Sequence, residues 1–150
     1  MEQFLVRYPV LALILAIAAG TFSPMRKHLL TVSIVDDEPS VREALVRLLR
    51  AQSINTPDFA SGADFIRSLQ DGLPDCLVVD FHMPEMTGLE LQQHLRREGA
   101  HIPTVVITAH ADVTIRHLCQ EAGAKSFLIK PLENAVLVNA IKSAVEDRAE

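Results

Sequence analysis

Five side chains in this sequence are of types that together could handle a phosphoryl group: the carboxylates Asp36, Asp37 and Asp80, the hydroxyl of Thr108 and the ammonium of Lys130. Two carboxylates about 4 Å apart repel by about 4 kcal/mol at an effective dielectric of 20. Three gathered at one place therefore call for a cation. Mg²⁺ suits them, because it is a hard ion that takes oxygen ligands and keeps several waters. Lys130 would pair with a remaining carboxylate oxygen, or with a phosphoryl oxygen once one arrives. A carboxylate can act as a nucleophile and become an acyl phosphate, and phosphoryl transfer asks for little beyond positioning and charge neutralisation. Singly, each signal is weak. An acidic pair before a helix is more often a helix-terminus complement, a lone Asp after a strand is usually a turn residue, and Lys-Pro is usually a loop. What gives the set weight is where the chain would place it.

The elements that must do the placing can be read from the apolar pattern. Leu29 to Val35 is a strand candidate, closed by Asp36-Asp37-Glu38-Pro39. Val41, Ala44, Leu45, Leu48 and Leu49 then recur at helical spacing. Ile54 to Phe59 reads as a weaker strand, and Ser61-Gly62 opens a short helix through Phe65, Ile66 and Leu69. Cys76 to Val79 and Thr104 to Ile107 are short apolar runs, as strands buried on both faces should be. A helix with Leu89, Leu91 and Leu95 lies between them. Another carries Ile115, Leu118, Cys119 and Ala122 and can end at Gly123. Ser126 to Ile129 is a fifth strand, and Val138, Ile141 and Val145 line a last helix. Strand and helix thus alternate five times, which predicts an α/β fold: a doubly wound parallel sheet with helices on both faces. In such sheets the functional crevice lies beyond the carboxyl ends of the strands. All five side chains follow strands: Asp36 and Asp37 the first, Asp80 the third, Thr108 the fourth, Lys130 the fifth. Chance would scatter them to both edges. Asp80, the central acid, is the best nucleophile candidate.

Bulk properties narrow the function. A chain of 150 residues that is 49% apolar suits one domain with a proper core. A net charge of -5 gives no general attraction for nucleic acid. Six histidines fall into no zinc-ligand spacing, and Cys76 and Cys119 read as buried free thiols. Residues 1–27 form a hydrophobic extension, uncharged from Tyr8 to Met25. It reads as a signal-peptide core, as a short membrane anchor through residues 8–25, or as an over-extended start before Met25. None of these makes it part of the fold of residues 28–150.

The motifs resemble a known family. Val35-Asp36-Asp37-Glu38-Pro39, Asp80-Phe81-His82-Met83-Pro84-Glu85-Met86-Thr87-Gly88, Val106-Ile107-Thr108-Ala109, Ala122-Gly123-Ala124 and Phe127-Leu128-Ile129-Lys130-Pro131 look like bacterial two-component response-regulator receiver domains. The wording is closest to receivers of the nitrogen-fixation regulator subfamily, which usually carry a LuxR-type DNA-binding domain. The resemblance covers about residues 29 to 147 and implies a flavodoxin-like (βα)5 sheet of order 2-1-3-4-5, an order the general rule for such folds also names. It implies that Asp80 is the phosphoacceptor and that Mg²⁺ is held by Asp37, by Asp36 mainly through water, by Asp80 and by the backbone carbonyl of His82. Thr108 and Phe127 would be the switch residues, Lys130 would contact the phosphoryl group, and the Lys130-Pro131 bond would be cis. The phosphodonor would be a sensor histidine kinase. Homodimerisation or partner docking would use the face of the fourth helix, fifth strand and fifth helix. The module would signal rather than catalyse, bind no nucleic acid itself, and be cytoplasmic unless residues 8–25 anchor it.

Other readings compete. A phosphatase of the haloacid dehalogenase type needs a second Asp two residues after the nucleophile, where this chain has His82. A nucleotide- or flavin-binding module needs a phosphate-cradling loop after the first strand, where Asp36-Asp37-Glu38 would repel a phosphate. A receiver-like scaffold that is never phosphorylated, and the front piece of a DNA-binding transcriptional regulator, both stay open.

Overall fold

The computed structural model describes residues 28–148, so the reading of residues 1–27 as an extension lies outside the described residues. The strands are β1 (Val32–Val35), β2 (Asp58–Phe59), β3 (Cys76–Asp80), β4 (Thr104–Thr108) and β5 (Ala124–Ile129). The helices are α1 (Pro39–Ala51), α2 (Gly62–Ser68), α3 (Gly88–Arg97), α4 (Val113–Glu121) and α5 (Asn134–Arg148), with a 3-10 turn at Leu69–Asp71. The sheet is parallel throughout, in the order β2-β1-β3-β4-β5. Among the described residues no helix is long and apolar enough to cross a membrane.

Alternation along each strand builds two cores. Val32, Ile34, Cys76, Val78, Val105 and Ile107 face α1 and α5, where Leu45, Leu49, Leu137 and Ile141 pack on them. Val35, Leu77, Val79, Val106 and Phe127 face the other way, against Phe65, Leu91, Leu95 and Cys119. Both sheet faces are covered, and for that reason the central strands are continuous apolar runs rather than alternating ones. A fully buried leucine such as Leu49 contributes about 2 kcal/mol over an exposed one. That burial, rather than helix propensity, holds α1 in place.

Local chemistry sets the ends of the elements. Pro39 opens α1, where its missing N–H costs nothing. Ser61, Thr87 and Asp112 cap α2, α3 and α4 by accepting hydrogen bonds from Asp64, Glu90, and Thr114 and Ile115. The second strand is shorter than the expected Ile54 to Phe59. Asn55, Pro57 and Phe59 carbonyls still accept from Val32, Ile34 and Asp36, but Pro57 has no N–H to return a bond, and the ladder breaks there. The first strand likewise begins at Val32 rather than Leu29, with a single bridge from Thr31 to Asn55.

The register delivers the side chains to one edge. Val35 lies beside Val79, Asp80 beside Ile107, and Thr108 beside Ile129. The next residues along β1 and β5 are Asp36 and Lys130. The β3–α3 loop then folds back closely: the Gly88 N–H donates to Phe81 O at 2.9 Å. A Cβ at Gly88 would sit 2.7 Å from Asp80 O and 3.1 Å from Phe81 Cα. Gly88→Ala must therefore push backbone apart, and we expect a loss of about 1–3 kcal/mol in urea denaturation. An unchanged midpoint would mean that the loop approaches less closely than described.

Candidate functional site at the carboxyl edge of the sheet

Asp36, Asp37 and Asp80 converge there, with one carboxylate oxygen from each lying within 4.8 Å of the others. Asp36 follows β1 and is completely buried, and its N–H still donates to Phe59 O at 3.1 Å. Its Oδ1 accepts from the Glu38 N–H at 2.9 Å, and its carbonyl accepts from Arg42 Nη1 at 2.8 Å. Asp36 is thus fixed by both the strand and the start of α1. Asp37 is exposed, at the mouth of the site. Asp80 ends β3 and is 5% exposed.

One ammonium serves two of these acids. Lys130 Nζ lies 3.2 Å from Asp36 Oδ2 and 3.3 Å from Asp80 Oδ1. Its backbone N–H donates to Thr108 O at 2.7 Å, which ties the end of β5 to the end of β4. The Lys130–Pro131 peptide bond is cis, as the resemblance implies. Thr108 is fully buried, and its Oγ1 accepts from the His110 N–H at 3.2 Å. That hydroxyl retains its own proton to donate.

The charges do not balance. Burial raises the Asp80 pKa above the ordinary carboxylate value of 3.8, and the negative charge of Asp36 raises it further. Lys130 pulls it back, without prevailing, and Asp37 adds a smaller upward push. Burial also works to lower the Lys130 pKa, but Asp36 and Asp80 outweigh it and hold the ammonium above 10.5. An ion pair would ordinarily depress the acid, yet Asp80 is raised, because burial penalises its charged form first and the one lysine that opposes this is divided between two carboxylates. The donor set is all oxygen, compact and over-negative. It fits a hard divalent cation such as Mg²⁺ and offers nothing to a soft one.

Phe127 is buried beside this edge, with the Arg116 guanidinium carbon 6.0 Å from the ring centroid. The aromatic switch candidate is therefore already inward. His82 is exposed, its ring 5.3 Å from that of His110 and 4.8 Å from that of Phe81. Cys76 and Cys119 are buried, and burial pushes their thiols up to about 12 and about 11. They are inert packing residues, as expected. One contributor, and the role of another already in the quoted motif, escape the sequence reading. Arg42 braces Asp36, and only its place one turn into the helix after the acidic pair hints at that. Gly88 makes room for the loop beside Asp80.

A family model described as Response regulator receiver domain matches residues 32–142. The transcriptional regulatory protein FixJ of Azorhizobium caulinodans is 36% identical over 124 residues, which are 81% of this chain and 57% of that protein. The response regulator protein TodT of Pseudomonas putida is 34% identical over 115 residues, 77% of this chain and 51% of that protein. The crystal structure of FixJ-N superposes with a TM-score of 0.74 at 38% identity, covering 78% of this chain and 94% of that one. The chain spans about half the length of the curated relatives it matches.

The raised Asp80 pKa carries a stability consequence. Between the unfolded and folded pKa values the folded state holds more protons, so stability falls as pH rises from about 3.8 through the folded value. Asp80→Asn cannot ionise. In metal-free buffer at pH 7 we expect it to melt above the wild type. The gap should close toward pH 3.5. A variant that melts below the wild type at pH 7 would contradict the charge imbalance.

Proposed function

This chain belongs to the response regulator receiver domain family, and from that membership we propose that Asp80 accepts a phosphoryl group and that Asp36, Asp37, Thr108 and Lys130 serve the transfer. The single observation that carries this reading is the convergence of three carboxylates at the strand ends, two of them sharing one lysine. In the step itself, a carboxylate oxygen of Asp80 attacks phosphorus and forms the acyl phosphate O–P bond. The bond from phosphorus to the donor breaks, and the leaving group departs with its electron pair. The donor is a phosphohistidine, as the family's sensor kinases would supply, or a small acyl phosphate.

Asp37, Asp80 and the backbone carbonyl of His82, with Asp36 mainly through water, would hold Mg²⁺, which would supply charge neutralisation for the phosphoryl oxygens. Lys130 releases Asp80 to act as nucleophile while keeping its partner Asp36, and donates to a phosphoryl oxygen. The Thr108 hydroxyl donates to another. Burial of Asp80 excludes bulk water from the nucleophile.

The readout works through differential affinity for two conformations. A phosphoryl group favours the one in which Thr108 turns toward it and Phe127 stays buried under Arg116. The face of α4, β5 and α5 then responds. Val113 is 83% exposed there, and Leu118, Ile129 and Val136 are exposed as well. An apolar surface of this kind supports docking of a second copy or of an output partner. With a net charge of -5 the chain itself is poorly suited to DNA. The regulatory roles in the names of FixJ and TodT point to an output acting beyond this domain.

The test is intact mass after incubation with acetyl phosphate. We expect one phosphoryl adduct on the wild type that requires Mg²⁺ and is absent from Asp80→Asn. Lys130→Ala should slow its formation by about tenfold or more, the cost of losing a charge-assisted hydrogen bond. If no adduct forms, and a beryllofluoride mimic also fails to bind, the unphosphorylated scaffold becomes the better reading.

A further inference from the structure

Asp37 differs from the other two acids of the cluster. Asp36 and Asp80 are buried and share Lys130, whereas Asp37 is exposed. An exposed side chain has rotamers to lose when it takes an ion, and that loss weakens binding. The direction of the Asp37 carboxylate is therefore set chiefly by the backbone that carries it.

That backbone is clamped on both sides. The peptide between Asp36 and Asp37 is planar, so holding its oxygen orients the Asp37 end as well. Arg42 Nη1 donates to this oxygen at 2.8 Å. On the far side of Asp37, the Glu38 N–H donates to Asp36 Oδ1 at 2.9 Å and fixes the next peptide. The Asp36 N–H, donating to Phe59 O at 3.1 Å, anchors the whole turn to β2.

Arg42 is aimed from two elements. Its own backbone belongs to the first turn of α1, where its N–H donates to Glu38 O at 3.1 Å. Its Nε lies 3.3 Å from Asp58 Oδ2, on the strand that pairs with β1. The Arg42 side chain is 17% exposed and that of Asp58 41%. A pair so open to water adds little stability, so the use of Asp58 is to turn the guanidinium. The bond to the Asp36 carbonyl is the stronger one, since a charged donor makes it in a partly buried place. Two different nitrogens are engaged, and a lysine has only one.

We infer that Arg42 is a positioning residue for the divalent cation, acting through the Asp36–Asp37 peptide to hold the Asp37 carboxylate toward the ion. This rests on the functional reading above, in which Asp37 is a Mg²⁺ ligand. Charge and geometry predict opposite signs here. Arg42 is itself a cation and opposes a second one through space, so by charge alone its removal would tighten Mg²⁺ binding. By the brace, its removal weakens binding. Arg42→Lys separates the two, because it keeps the charge and loses the fork.

The test follows Mg²⁺ binding to the 150-residue chain by backbone amide NMR at constant ionic strength. The Kd should rise about three- to tenfold in Arg42→Ala, the effect of losing most of one charge-assisted hydrogen bond, and Arg42→Lys should recover little of it. Without Mg²⁺, hydrogen exchange at the Glu38 amide should quicken in both variants by a larger factor than at Val78 and Val79, which separates a loosened turn from a general loss of stability. The inference is overturned if Arg42→Ala binds Mg²⁺ as tightly as the wild type or more tightly, if Arg42→Lys matches the wild type, or if Glu38 exchange quickens no more than that of β3. A wild type that binds no Mg²⁺ would bring down the functional reading and this inference together. A wild type that binds it, with both variants equal to it, would overturn this inference alone.

Discussion

Three carboxylates held within 4.8 Å of one another are the constraint that organises this molecule. Each like-charged pair at that spacing repels by roughly 3 to 4 kcal/mol at an effective dielectric of 20. No flexible chain would hold such an arrangement. Here it is imposed by apolar strands buried on both faces, whose hydrophobic cores outweigh the repulsion. The parallel register places Asp36 beside Asp80, with Lys130 two strands from Asp80 and in reach of both. Lys130 relieves the repulsion without cancelling it. The surplus negative charge gives the edge an oxygen donor set that fits a hard divalent cation.

The same sheet separates two kinds of electrostatics. At the carboxyl ends of the strands, acids dominate and one lysine is shared. At the amino ends, Arg96, Lys125 and Arg148 line a cleft with no Asp or Glu among its described lining residues. Each edge is built by residues that the core positions from several elements. Gly88 shows how tightly the two requirements are joined: the β3–α3 loop returns so close to Asp80 that no side chain fits.

Much of this was legible in the chain. The apolar runs Cys76 to Val79 and Thr104 to Ile107 announce strands covered on both sides, and the alternation of helix and strand announces a parallel sheet. Those two facts alone send Asp36, Asp37, Asp80, Thr108 and Lys130 to one edge. The sheet order itself came with the family resemblance, since alternation does not fix it. Strand ends were less legible. Pro57 truncates the second strand because it lacks an N–H, although the carbonyls around it still pair with β1. The brace from Arg42 to the Asp36 carbonyl, the division of Lys130 between two acids and the inward Phe127 depend on distances between elements far apart in sequence. The cleft lined by Arg96, Lys125 and Arg148 was invisible for the same reason: these residues lie on α3, β5 and α5.

The central claim is that the surplus of negative charge is spent on making Asp80, and no other acid, a phosphoryl acceptor. Its most direct test is to trap the acyl phosphate chemically. Borohydride reduces an aspartyl phosphate to homoserine, and peptide mapping then locates the converted residue. Homoserine at position 80 alone is the expected result. Conversion at Asp36 or Asp37, or phosphate retained on a histidine with no homoserine formed, would contradict the account.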